Sequence, residues 1–178
     1  MVFQIPAVDS RVYAALFAIA LLACAAPLLV LRRDGPARTL RNVALAAILI
    51  VPLTAALGFT MSDNELRIEG GKVVLHAAHF YGHERPIGEF DLERARAGSL
   101  DAIPEARLGA RSTGISLPGY AAGRFAGQRG AVFALLTDRS RVVYLPARKG
   151  SSLLISVGQP ERFLAALRAA QAAGQRSR

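Results

Sequence analysis

The chain of 178 residues is poor in cysteine, in lysine and in catalytic signatures, and each shortage closes off a class of function. Cys24 is the only cysteine, so an intramolecular disulfide and a cysteine-based zinc site are both excluded. Lys72 and Lys149 are the only lysines beside twenty arginines. With the abundant alanine, this points to a GC-rich coding sequence rather than to selection for phosphate contacts. The formal net charge is +9. Four of the cations sit in one short segment, and the others alternate with acids instead of forming a stripe with aromatics, so nucleic acid is not an expected partner. A hydrolase needs serine, histidine and an acid placed by a sharp turn, and no G-x-S-x-G or comparable pattern occurs. The glycines of GRFAGQRG, residues 123–130, lack the lysine and the helix context of a phosphate-binding loop.

The most informative shortage is of charge near the start of the chain. Residues 12–31 and 42–61 each run for twenty residues without Asp, Glu, Lys, Arg or His. A helix of about 20 apolar residues crosses a hydrocarbon core roughly 30 Å thick. Two membrane-spanning helices are therefore predicted, joined by the loop 32–41, RRDGPARTLR. That loop carries Arg32, Arg33, Arg38 and Arg41 against Asp34 alone. Positive residues beside spans are retained in the cytoplasm, so the loop is expected there and both termini on the other side. Pro27 and Pro52 fall within the spans, where freed carbonyls are re-satisfied by neighbours. Ala14/Ala18 and Thr54/Gly58 place small residues four apart, a spacing that permits close helix approach. Residues 21–24, LLAC, resemble a lipobox, the site of lipidation at a bacterial prolipoprotein cysteine. The apolar run continues beyond Cys24 to Leu31, and Arg11 is the only positive charge before it, so an ordinary span is favoured.

Residues 1–11 form a short head, 62–173 a soluble domain, and 174–178 a tail. From Glu65 onward, short apolar runs alternate with glycine, proline and polar turns. Residues 66–69 and 72–77 flank Gly70-Gly71, a pair suited to a tight hairpin. Residues 87–92 extend the predicted sheet, and 93–110, broken by Gly98 and Pro104, read as irregular with a short helical turn. Pro118-Gly119 fits a type II turn, with a strand at 120–125 after it. Residues 131–137 and 141–146 are the clearest strands, joined by Asp138, Arg139 and Ser140, and 153–157 supply another. Strands this short and regularly spaced predict an antiparallel barrel or sandwich. A closing helix starts at Pro160, with Glu161 in its first turn and Gly174 as its stop. Phe163, Leu164, Leu167 and Ala170 share its apolar face.

Strands followed by one amphipathic helix is the order of a pleckstrin-homology fold. The stretches SLPGY (116–120) with Gly123 and Phe125, FALLTDRSRVVYLP (133–146) and the helix start QPERFL (159–164) resemble the bacterial PH-domain family of small membrane proteins. The resemblance covers roughly residues 65–170 and rests on turns, strand cores and a helix cap. It implies a PH-like α+β domain, an antiparallel β barrel or sandwich with one C-terminal capping helix, behind a two-helix transmembrane hairpin. It implies a binding or scaffolding role rather than catalysis, and with the two apolar runs and the arginine-rich loop the expected place is the bacterial inner (cell) membrane, as a multi-pass protein with an extracytoplasmic C-terminal domain. The expected partners are the membrane itself, through two spans, and a membrane or envelope protein; no cofactor is expected.

Three groups of residues carry competing chemistry. All the histidines fall in HAAHFYGH, as His76, His79 and His83. On one helix face they would suit zinc or copper, and a histidine-centred metal protein or enzyme is the first alternative. On a strand, His76 and His79 have opposite parity and point apart. Glu89 and Asp91 share parity on a predicted strand, as acid/base partners would, but solvated alternation explains them equally well. Tyr120, Arg139 and Arg141, near strand ends, are the candidate partner-binding residues, with Arg148 a further cation. A lipid-headgroup sensor is the second alternative, and it requires a basic concavity facing the bilayer.

Overall fold

A computed structural model describes residues 1–62, 64–77 and 81–176. The first third of the chain is helical. α1 (Ser10–Ala25) starts at Asp9, whose carboxylate accepts the Arg11 amide at 2.8 Å. It tightens into a 3₁₀ turn over Ala26–Val30, with Pro27 near the start of that turn, then continues as α2 (Leu31–Asp34). α3 (Pro36–Ser62) runs back for 27 residues, about 40 Å at 1.5 Å per residue. Ser10–Leu29 and Pro36–Ser62 are two helices long and apolar enough to cross a membrane. Core helices of a soluble protein are buried, whereas Leu29 here is 89 % exposed, and Leu22, Ile48 and Leu49 are exposed too. So large an apolar surface requires a partner or a lipid phase.

The connection between the helices is shorter than the expected loop 32–41. Only Gly35, with φ 76°, breaks the helical backbone. Proline suits the first position of a helix, because its missing N–H would be unpaired there anyway. Pro36 accordingly starts α3 six residues ahead of the apolar run, and Arg38 and Arg41 ride on its first turns. Thr39, buried, locks the turn through its hydroxyl on the Gly35 carbonyl at 2.9 Å.

The domain consists of two sheets and a helix. The first sheet has the order β1 (Val2–Phe3), β2 (Asn64–Glu69), β3 (Lys72–Ala77), β4 (Tyr81–Pro86), all antiparallel. Gly70 and Gly71 make the β2–β3 turn with φ of 55° and 73°, the left-handed pair such a two-residue hairpin needs. The second sheet has the order β5 (Arg96–Gly98), β9 (Val142–Leu145), β10 (Ser152–Ser156), β8 (Gly130–Leu136), β7 (Tyr120–Gly127), β6 (Arg111–Leu117). Its inner face meets the first sheet and α4 (Pro160–Arg176) around Leu66, Leu75, Phe133, Leu153 and Phe163. Its outer face is covered by residues 99–108, which bring Leu100, Ile103 and Ala106 onto Phe125, Tyr144 and Leu154. β9 and β10 are therefore buried on both faces, and they read as continuous apolar runs instead of alternating ones.

Several expectations are corrected. The sheets do not close into a barrel, and the strands are not all antiparallel: β10 inserts between β8 and β9 and pairs parallel with β8. The segment after β8 must therefore cross the end of β10. Ser156 makes that crossing possible, its hydroxyl accepting the Thr137 and Asp138 amides at 3.0 Å each and donating to the Asp138 carbonyl at 2.7 Å. Residues 87–92 form a 3₁₀ turn (Ile87–Glu89) and a single bridge from Phe90 to Ala147, not a strand, because Ile87, Phe90 and Leu92 must all turn inward. Gly174 does not stop α4, which continues to Arg176.

The short head joins the domain. Val2 pairs with Arg67 and Phe3 with Leu66, Phe3 sets its ring edge-on against Phe163 at 5.0 Å, and the Gly158 amide donates to Gln4. Val8, Val12 and Met61 are buried in the same core as the first sheet. Residues on both flanks of the helix pair are thus part of one folded body.

Candidate functional site

The helix pair defines one end of the domain. β2 leaves α3 at Asn64, so the strand ends near Asn64 and Ala77 lie beside the helices. In the second sheet the β6–β7 turn marks the same end, since a methyl group added at Gly119 would lie 3.0 Å from Val12 in the first turn of α1. Leu117 pairs with Tyr120 and Ala121 with Leu136, so the ends of β6 and β8 gather there, and the β8–β9 crossing follows.

At this end lies a cleft of about 470 Å³ between that turn and residues 99–109. Leu100, Leu108, Leu117, Tyr120, Phe125 and Leu136 line it with apolar surface, and Arg107, Arg139 and Asp101 supply charge. Arg139 reaches Asp101 at 3.1 Å, an ion pair with both partners well exposed. Such a pair contributes little to stability and yields readily to a competing anion. Arg107 is exposed and makes no ion pair among the described residues.

The three candidate partner-binding residues divide between two places. Tyr120 and Arg139 both line this cleft. Arg141 faces a neighbouring hollow formed with the head strand, Gly158 and Arg162. It is held by Asp138 at 2.8 Å. The hydrogen bond from the Ser140 hydroxyl, aided by the Ser140 amide and Arg141, keeps the Asp138 carboxyl below its ordinary range. Arg107 and Asp101 escaped sequence reasoning, because residues 99–109 have no period that says which side chains face inward.

The histidines do not converge. His76 pairs with Gly82 and His83 with Leu75, so His83 shares the inward face of Leu75 while His76 points out. His79 lies outside the described residues. His83 stacks on Phe133, 4.6 Å between centroids and 8° from parallel, with its Nε2 buried and without a hydrogen-bond partner among the described residues. Burial, with Arg85 and Arg124 adding, pushes its pKa down to about 4. No cluster of three metal-ligating side chains occurs among the described residues. Glu89 pairs with Arg85 and Asp91 with Arg94, so these carboxylates serve separate ion pairs rather than one acid/base centre. Arg85 also reaches the carbonyls of Lys149 and Ser151, a latch that holds the β9–β10 loop.

Comparisons with known proteins return nothing: no family model, no curated protein and no solved structure matches the chain.

Proposed function

We propose that the chain is a membrane-anchored, non-catalytic binding module of PH-like type that holds a neighbouring membrane or envelope protein. In this reading the two apolar helices cross the bacterial cell membrane, Arg33, Arg38 and Arg41 face the cytoplasm, and the domain stands on the outer side. The observation that carries it is the fastening of domain to helices on both flanks. Strand β1 precedes α1, β2 follows α3, and the two pair with each other. Residues 1–3 and 64–69 therefore lie on one side of any membrane the helices cross, as an even number of spans requires.

A partner that touches both helices and domain meets one prearranged surface, which lowers the ordering cost of binding. The test is to insert flexible Gly/Ser segments at two places, after Asp9 and after Ser62, which removes no residue but frees Val12 and Met61 from the core, with hydrogen exchange in the sheets confirming that the domain stays folded. Purification from native membranes should then recover the partner with the unaltered chain and lose it with the doubly inserted one. Equal recovery from both would sink the reading, as would turnover of a substrate by the purified chain.

A further inference from the structure

We infer that the cleft beside the β6–β7 turn binds the anionic headgroup of a membrane lipid, with the acyl portion resting on its apolar lining. This goes beyond the protein-docking role, and it rests on the reading that α1 and α3 cross a membrane. Three observations converge. The cleft lies at the end of the domain nearest the helices, because its lining residue Gly119 packs on Val12 in the first turn of α1. Leu100, Leu108, Leu117 and Phe125 give it an apolar wall beside its polar one, a combination that suits an amphipathic lipid. Its charged lining has two arginines to one acid, and the acid, Asp101, is 84 % exposed and, among the described residues, held only by Arg139.

A lipid phosphate matches this arrangement. Arginine presents a fork of N–H donors suited to phosphate oxygens, and charge-assisted bonds of this kind are the stronger ones. Arg139 turns from Asp101 to the phosphate while Arg107 approaches it as a second donor. Asp101 is thereby a competitor, and its removal should tighten binding. That gain is the distinctive expectation, since damage to the fold does not increase affinity. A zwitterionic headgroup carries an ammonium that offsets the phosphate, so an anionic lipid is preferred.

The test uses the full chain purified in an uncharged detergent. Alkaline carbonate extraction of native membranes comes first: release of the chain would overturn the membrane reading itself. With the chain retained, binding of dihexanoyl phosphatidylglycerol is compared with that of dihexanoyl phosphatidylcholine and of inorganic phosphate. The expected result is affinity about tenfold higher for the glycerol lipid than for the choline lipid, one charge-assisted contact's worth. Arg107→Gln and Arg139→Gln should each weaken it, Asp101→Asn should strengthen it, and Arg168→Gln, on α4 at the opposite face of the second sheet, should leave it unchanged. Equal affinity for the two lipids overturns the inference, as does an Asp101→Asn chain that binds no more tightly. Full displacement by inorganic phosphate alone also overturns it, because the site would then take a soluble anion and not a lipid.

Discussion

His83 makes the stability of the domain depend on pH in a way that one substitution should remove. Its imidazole stacks on Phe133, its Nε2 is buried without a partner among the described residues, and Arg85 and Arg124 oppose any added positive charge. The folded-state pKa is about 4, against 6.5 for an unperturbed imidazole in the unfolded chain. A folded state with the lower pKa binds fewer protons, so its stability is intact above the unfolded pKa and falls as the pH drops towards the folded one. Between about pH 7.5 and pH 5 those two values imply a loss of about 2 kcal/mol, a large share of a small domain's stability. His83→Phe keeps a flat ring against Phe133 and removes the titration. Hydrogen exchange of the sheet amides in the full chain, corrected for intrinsic rates, reads the opening free energy at each pH. Carboxylates such as Asp138 titrate in both chains and cancel in the difference. The wild type should lose about 2 kcal/mol more than His83→Phe over this range. Parallel pH profiles would mean that the charged imidazole is accommodated, and the burial argument would fail.

Other expectations follow from the fold. Ser156→Ala leaves the Thr137 and Asp138 amides without their shared acceptor and should cost about 1–3 kcal/mol in a denaturant titration, whereas Ser152→Ala, which frees only the Ala147 amide, should cost less. Phe163→Ala and Leu167→Ala, both on α4 and fully buried against the sheets, should each cost about 2–5 kcal/mol, read as a lower melting temperature of the domain. A reporter active only outside the cytoplasm should give signal when fused after Arg178, and strong signal from a cytoplasm-only reporter at that position would reverse the topology.

What the sequence revealed and what it hid have a common physical cause. Wherever one face of an element is buried and the other solvated, the period shows. Phe163, Leu164 and Leu167 mark α4, the Gly70-Gly71 pair marks the first hairpin, and the uncharged runs mark the helices. β4 and β6 were missed because edge strands such as YGHERP and RSTGISL carry no apolar alternation. The insertion of β10 between β8 and β9 was hidden for the opposite reason. SLLIS and VVYL are buried on both faces, so their composition reports burial and says nothing of which neighbour each strand takes. The cleft was half legible. Tyr120 and Arg139 could be named from their places at strand ends, but Arg107 and Asp101 come from residues 99–109, whose path depends on covering the outer face of a sheet that sequence alone does not reveal.

The head strand changes how anchored docking should work. A domain hung on one short linker would swing, and it would gain from its anchor only through raised local concentration. Here the linker is itself packed: α3 ends at Ser62, Met61 is fully buried, and the Asn64 amide group donates to the Met61 carbonyl at 2.8 Å. On the other flank, Val8 and Val12 are buried, and Gln4 and Phe3 are held against Gly158 and Phe163. Slack introduced after Ser62 alone would leave the second fastening in place. The domain cut out at residue 62 would lose β1 and part of its core, so weak binding by that fragment would report damage as much as lost attachment. Lengthening both connections together keeps β1 and removes no residue, but it also releases Val12 and Met61, which α1 and α3 contribute to the core, so hydrogen exchange in the sheets has to be read beside binding. A partner that needs that relation should dissociate from the doubly lengthened chain, and the loss counts as lost attachment only where hydrogen exchange shows the sheets still folded.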